Sequence, residues 1–455
     1  MTAQSTPSMD NMAEQVQLLL NARYIHSLKE LLSRQHPADI ADILEMLDDD
    51  ARIQVFELLD HEFAAEVLDK TNADVTRDLV EAIPDETIAD LLEAMPMDDA
   101  AEVLSELEDN RADDILKLMA PDEAADVEKL LSYEEGTAGR LMSTQVVQLK
   151  ASWTVDQTIN FLRKVDPDVE TLAYLYVVNT RQKLVGVVPL RFLITAPANR
   201  KLTDLMETSV SAVRVDTDQA EVARIVSEYD YFAVPVIDLE GKLVGIITHD
   251  DVVDILQDEF TEDVQRMGGS EPLEDDYLST PVTMIVSKRI RWLLAIFALE
   301  LLTGIVLRAF TVQLESMIVQ VMFIPLLVAM GGNSASQTTS TIIRAFEVGD
   351  VHVGDIGRIL WHELRAGLVL GLVAALLAFG WSYLATGALL IGAVMAVAIL
   401  AIILWSHVLG ALLPSLLVRL GIDPLIISGP VIGALVDVTG LIIYFLISNT
   451  FLGLM

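Results

Sequence analysis

The chain has 455 residues, 52% of them hydrophobic, no cysteine, and a formal net charge of −37. It lacks the basic footprint that nucleic acid demands, and without thiols it has no disulfide, thiolate metal site or cysteine nucleophile. Residues 1–280 hold 59 of the 67 acids and 22 of the 30 Lys/Arg, whereas residues 281–455 hold eight of each. An acidic, water-facing half joined to a neutral, apolar half excludes a simple cytosolic enzyme.

Met1 to Gln17 show no basic segment followed by an apolar run. Residues 1–20 are therefore expected to form a flexible tail rather than a secretory signal, with the soluble half left in the cytoplasm. Residues 21–137 read as short helices on a rough 12-residue period. Ile83-Pro84-Asp85-Glu86, Met95-Pro96-Met97-Asp98-Asp99 and Ala120-Pro121-Asp122-Glu123 each set proline near the first helical turn with acids beside it. Proline lacks an N–H that is not needed there, and acids complement the helix dipole. The pattern predicts an all-α superhelix whose repeats bury their faces on one another. Residues 1–135 carry 35 acids and nine Lys/Arg, a net −26, most of it ordinary solvated surface.

Residues 138–262 contain a duplication, divided here into 138–200 and 201–262. Leu141-Met142 recurs as Leu205-Met206, and Lys183-Leu184-Val185-Gly186 recurs as Lys242-Leu243-Val244-Gly245. Each copy reads as strand, helix, strand, turn, strand, helix. In the second copy these are 211–215, 218–229, 232–238, 243–248 and 251–259, with the turn at Glu240-Gly241. This α/β layout resembles a tandem pair of CBS domains. The resemblance implies that Thr248 and Asp251 occupy positions that bind adenylate phosphate and ribose, so that any ATP site is single and degenerate. The first copy has Pro189 and Phe192 at those positions. From Asp250 onward, Asp250, Asp251, Asp254, Asp258, Glu259, Glu262 and Asp263 form a dense acidic run, and Asp251, Asp254, Asp258 and Glu262, three to four apart, share one helix face. That face is either solvated or built to be neutralised by divalent cations. Residues 263–290 are expected to form a connecting helix, with an amphipathic stretch at 273–288, that carries movement to the membrane.

After residue 281 come uncharged runs of 28 residues (Ser316–Ile343), 53 (Ala366–Val418) and 18 (Val438–Met455). A spanning helix needs roughly 20 apolar residues. Five spans within 291–455 are predicted, at about 291–312, 317–343, 362–385, 388–418 and 424–452. Lys288, Arg289, Arg291, Arg344, Arg358, Arg365 and Arg419 fall on one side and Arg308 on the other, which puts the acidic half inside and the C-terminus outside. The ionisable groups read as lying within spans are Glu300, His407 and Asp437. Glu300 reads as a carboxyl that glues helices, and His407 as a packed histidine. Asp437 follows Gly429-Pro430 and Gly433-Ala434 and precedes Thr439-Gly440, so it is expected beside a loosened helix that admits a hydrated cation. Gly331 to Gln337 read as a second irregular segment, with the amides of Asn333 and Gln337 offering oxygens.

Acidic repeat, paired CBS units, connecting helix and five spans together resemble the MgtE family of magnesium channels and transporters over nearly the whole chain. The motifs are Gly331-Gly332-Asn333 with Gln337, Ser428-Gly429-Pro430, Asp437-Val438-Thr439-Gly440, and Tyr133 to Met142. Arg140 stands where family members often have glycine, and Ala434 near where they have threonine. The resemblance implies a homodimer in a bacterial inner membrane with one central pore, Asp437 as pore ligand, and Mg²⁺ as both substrate and regulator. Asp250, Asp254, Asp258, Glu259 and Glu262, facing Asp90, Asp98 and Asp99, are the expected sensor acids. An intramembrane protease is disfavoured, because a second membrane aspartate is lacking and His362-Glu363-Leu364-Arg365-Ala366 lacks a second histidine. No Gly-rich phosphate loop with lysine supports ATP-driven pumping. The alternatives are a broader Co²⁺/Mn²⁺ transporter and a non-conducting, CBS-regulated receptor.

Overall fold

In the computed structural model, the residues described are 9–452 apart from 166–168, 170, 274–276, 279 and 312–317. Two units separate, Met1–Glu259 and Phe260–Met455. Ten helices of 8 to 13 residues run from Met9 to Leu131. The expected tail lies outside the described residues only over 1–8. Met9–Asn21 is a helix, because Met12, Ala13, Val16 and Leu20 recur at helical spacing and are buried in the repeat core. Helix starts follow the signals in the sequence. Pro84 and Pro96 are N-caps, Pro37 and Pro121 occupy the first turn, and the Asp48 and Asn72 side chains accept from Ala51 N and Val75 N at 2.9 Å.

Each short helix is too brief to stand alone and packs on the next but one: Met9–Asn21 on Pro37–Met46, then His61–Asp69, Asp85–Glu93 and Asp109–Leu116. The scarce arginines tie these joints. Arg111 reaches Asp85 at 2.9 Å and the Val80 carbonyl at 2.8 Å, Arg77 reaches Glu106 at 2.9 Å, and Arg52 reaches Asp78. Positive charge is thus spent on internal ties, and most acids are left to the surface.

The duplicated region forms two three-stranded sheets of one topology. In the first, β1 (Gln148–Lys150) lies parallel to β2 (Tyr174–Val178), which pairs antiparallel with β3 (Leu184–Pro189). In the second, β4 (Val213–Arg214), β5 (Ala233–Ile237) and β6 (Leu243–Thr248) repeat that order. The repeated dipeptide and the repeated glycine explain each other. A Cβ on Gly245 would lie 2.7 Å from Met142 Sδ, and one on Gly186 would lie 2.7 Å from Met206 Sδ. Ser143 bridges to Ile246 and Val187 to Glu207, so the segment leading each copy completes the sheet of the other. Only glycine allows the methionine that close.

Helix His249–Met267 ends at Gly268-Gly269, where Gly269 adopts φ +76°, a left-handed conformation that suits glycine. The expected helix over 263–290 is not formed as one element. Among the described residues, the next helix starts after its N-cap Pro281 and runs unbroken as Val282–Ala309, so the residues before 291 are the start of the first membrane helix. Among the described residues, four helices are long and apolar enough to cross a membrane: Val282–Ala309, Val353–Thr386, Leu389–Leu420 and Gly429–Phe451. A further helix, Ile324–Glu347, is about 36 Å long at 1.5 Å per residue, but its Gly, Ser, Thr, Asn and Gln residues keep it less apolar. It packs against both Leu389–Leu420 and Gly429–Leu452, and Val282–Ala309 packs on the latter. The unit is polytopic and α-helical. Gly331 admits Ile402 and Val436 from two neighbours, where a Cβ would lie 2.7 and 3.0 Å from their methyl groups.

Candidate ion pathway and acidic cluster

Asp437 lies two turns into Gly429–Leu452. Its Oδ1 is buried and lacks a hydrogen-bond partner, and it faces Gly332 of the Ile324–Glu347 helix, where a Cβ would lie 3.4 Å away. Gly332 also lies against Gly433, so two helices approach backbone to backbone just where the carboxylate sits. Asn333 and Gln337, one turn apart on the same helix, are both exposed. Ser336 Oγ donates to the Gly429 carbonyl at 2.9 Å and fastens the two helices beside them.

Two expectations are corrected here. Residues 331–337 are regular α-helix rather than an irregular segment, since glycine and serine spacing serves close packing and does not break the hydrogen-bond ladder. Pro430 loosens nothing in mid-span. The helix begins at Gly429, so Pro430 stands in the first turn, and residue 426 belongs to the preceding 3₁₀ turn Pro424–Ile426.

The side chain of Glu300 hydrogen-bonds to Asp437, bringing a carboxyl of Val282–Ala309 onto the same spot. His407 is 5% exposed, with Nδ1 at 2.7 Å from Glu363 Oε2 and 3.1 Å from Thr338 Oγ1. The histidine is packed, as read from the sequence, but its partner Glu363 was not anticipated. It sits at the edge of a span, and a contact 44 residues distant leaves no periodic signal.

In the other unit, Asp99 lies among Asp69, Asp98 and Asp251, with Lys70 the cation beside it. Burial first, and then those three carboxylates, push Asp99 up to about 9. Glu102 is raised by burial and by Asp69 and Asp258, and Asp258 by burial with Asp254 and Glu259. Lys70 bonds Asp69 at 2.8 Å and also feels Asp99 and Asp254. The repeat and the helix from His249 therefore face each other through carboxylates. Of the expected sensor acids, Asp98, Asp99, Asp254 and Asp258 fall in this cluster. Asp250, exposed like Asp254 and Asp258, acts on Asp251 at the cluster's margin; Asp90 is exposed, Glu259 accepts from Gln219 at 2.8 Å, and Glu262 pairs with Arg266 at 2.7 Å. Asp69, Glu102 and Asp251 join the cluster without having been named as sensor acids; the signal for Asp251 was its place on the Asp254–Asp258 face.

Thr248 donates to Asp251 Oδ2 from both its hydroxyl, at 2.6 Å, and its backbone N–H, at 3.0 Å, so the two proposed adenylate contacts engage each other. A cavity of about 90 Å³ lies elsewhere, between Tyr174, Val187 and Arg191 of the first copy and Tyr231 and Ala233 of the second.

The profile of the MgtE intracellular N domain matches residues 35–136, that of the CBS domain residues 202–258, and that of the MgtE divalent cation transporter residues 324–447. The magnesium transporter MgtE of Thermus thermophilus is 38% identical over 320 residues, covering 70% of this chain and 71% of that protein. The Bacillus subtilis magnesium transporter MgtE is 31% identical over 70% of each. The crystal structure of the cytosolic domain of the Mg²⁺ channel MgtE in complex with ATP is 37% identical, with a TM-score of 0.52, and covers 53% of this chain and 99% of that one. The soluble part of a magnesium transporter aligns with a TM-score of 0.51 at 30% identity, over 55% and 99%.

Proposed function

Because the chain belongs to the MgtE family of divalent cation transporters, we propose that it passes Mg²⁺ through its membrane unit and closes when cytosolic Mg²⁺ rises. The observation that carries the reading is Asp437, an unpartnered carboxylate oxygen held against Gly332 where two membrane helices meet. Mg²⁺ binds oxygen in octahedral geometry and sheds water reluctantly, so a carboxylate oxygen left without a protein partner suits the ion or its bound water. Asn333 and Gln337 supply further neutral oxygens on the exposed face. The exposed stripe Val253, Leu256, Phe260 and Val264, at helical spacing on one helix, supports a homodimer. The basic residues between the spans favour a cytoplasmic acidic half in a bacterial inner membrane.

For the gate, the support is a chain of facing acids: Asp69, Asp99 and Asp254 around Lys70, Asp98 and Asp251 beside Asp99, and Asp258 beside Glu102. Mg²⁺ bound there relieves the repulsion and stabilises the compact state, and a ligand that prefers the closed state shifts the equilibrium toward it. Covalent continuity through residues 268–290 carries that bias to the first membrane helix. ATP binds at the paired CBS units, where Arg191 offers a phosphate partner beside Tyr174 and Tyr231. In liposomes, the full chain should pass Mg²⁺ down its gradient and Asp437→Ala should not. Wild-type flux in that variant would defeat the assignment.

A further inference from the structure

We infer that Glu300 is a second acidic ligand of the permeating cation, one that binds together with Asp437. The inference rests on the reading of Asp437 as the pore carboxylate and adds a residue that no matched motif contains. Its basis is geometric. Glu300 lies in the first membrane helix, Val282–Ala309, and Asp437 in the last, Gly429–Leu452; these two helices pack together, and the two carboxyl groups hydrogen-bond. Asp437 Oδ1 remains buried without a partner. Thr303 Oγ1, one turn along from Glu300, is also buried without a partner. Two carboxyl groups thus meet while one oxygen of Asp437 is left unused, in a region where charges are found paired or holding a cation, and the Thr303 hydroxyl lies one turn from Glu300 on the same helix. A hard divalent cation, which prefers oxygen ligands, satisfies both carboxylates at once.

Two carboxylates per chain hold the ion longer than one, and conduction requires that the ion also leave. Glu300 therefore sets affinity at the expense of turnover. The test is Mg²⁺ and Mn²⁺ uptake by liposomes holding the full chain, as a function of concentration. Glu300→Gln keeps size and hydrogen bonding but removes the charge. It should raise the half-saturating concentration about tenfold or more while the maximal rate holds or increases. Glu300→Asp, one methylene shorter with its charge retained, should fall between the two. An unchanged half-saturation in both variants, with Asp437→Ala inactive, would overturn the role of Glu300 and spare that of Asp437. Wild-type uptake in Asp437→Ala would overturn both. If Glu300→Gln fails to assemble by gel filtration, Glu300→Asp decides alone: a shifted half-saturation supports the inference, and an unshifted one refutes it.

Discussion

Asp99→Asn should stabilise the metal-free acidic unit and abolish part of its response to Mg²⁺. Burial and the carboxylates of Asp69, Asp98 and Asp251 raise Asp99 from 3.8 to about 9. Between those values the folded chain binds the proton that the unfolded chain has released, so stability falls as pH rises from about 4 toward 9. At pH 7 the interval above the unfolded value is about 3 units, which at 1.36 kcal/mol per unit bounds the penalty at about 4 kcal/mol. Asparagine preserves the shape and cannot ionise, so most of that penalty disappears. Mg²⁺ removes it differently, by binding the charged form, and can add about 2.7 kcal/mol at a hundred times its dissociation constant. The assay is hydrogen exchange of the full chain in detergent, with EDTA or with Mg²⁺, read at Met97–Ser105 and at 249–259. In EDTA the variant should exchange more slowly than wild type by one to three orders of magnitude where exchange follows opening of the cluster. With Mg²⁺ the wild type should slow markedly and the variant little. Equal or faster exchange of the variant in EDTA would refute the argument that these carboxylates oppose one another.

Three further outcomes follow from contacts described above. His407→Ala removes one of the two hydrogen-bond partners of Glu363, leaving Thr338 at 3.3 Å, and should cost about 1–3 kcal/mol, seen as a lower melting temperature of the detergent-solubilised chain. Gly245→Val places a side chain where Met142 Sδ and the Ser143 carbonyl already sit, at 2.7 and 2.6 Å from a Cβ, and should destabilise by about 1–3 kcal/mol or more in thermal unfolding. Arg191→Ala should weaken ATP binding at least tenfold by calorimetry, whereas Thr248→Ala should leave it within twofold, because Thr248 is committed to Asp251.

Local chemistry made much of this architecture legible. Proline with neighbouring acids marked helix starts at Pro84, Pro96 and Pro121, and the strand 243–248 was read to the residue. The Gly429-Pro430 pair was misread because its meaning depends on where the helix starts, which a list of small residues does not reveal. The same holds for Gly331 to Gln337, where glycine serves a neighbouring helix rather than a bend. Long-range partners were invisible for a different reason. Glu363 with His407, Glu300 with Asp437 and Asp69 with Asp99 are each joined only by tertiary packing, and their separations match no helix or strand period. Asp437 could be singled out because charge is so rare in its surroundings.

The interlocked methionines carry a consequence for how the two halves of the duplication can diverge. Met142 seats on Gly245 and Met206 on Gly186, so each copy supplies the clasp of the other. Pro189 and Phe192 in one copy, and Thr248 and Asp251 at the matching positions in the other, stand apart from that clasp. Substitution at those positions can therefore change what each copy binds without unfastening the pair. In this chain Asp251 is engaged by Thr248 and lies beside Asp99 in the acidic cluster. Partnership and recognition are separable traits here, and drift in one leaves the other intact.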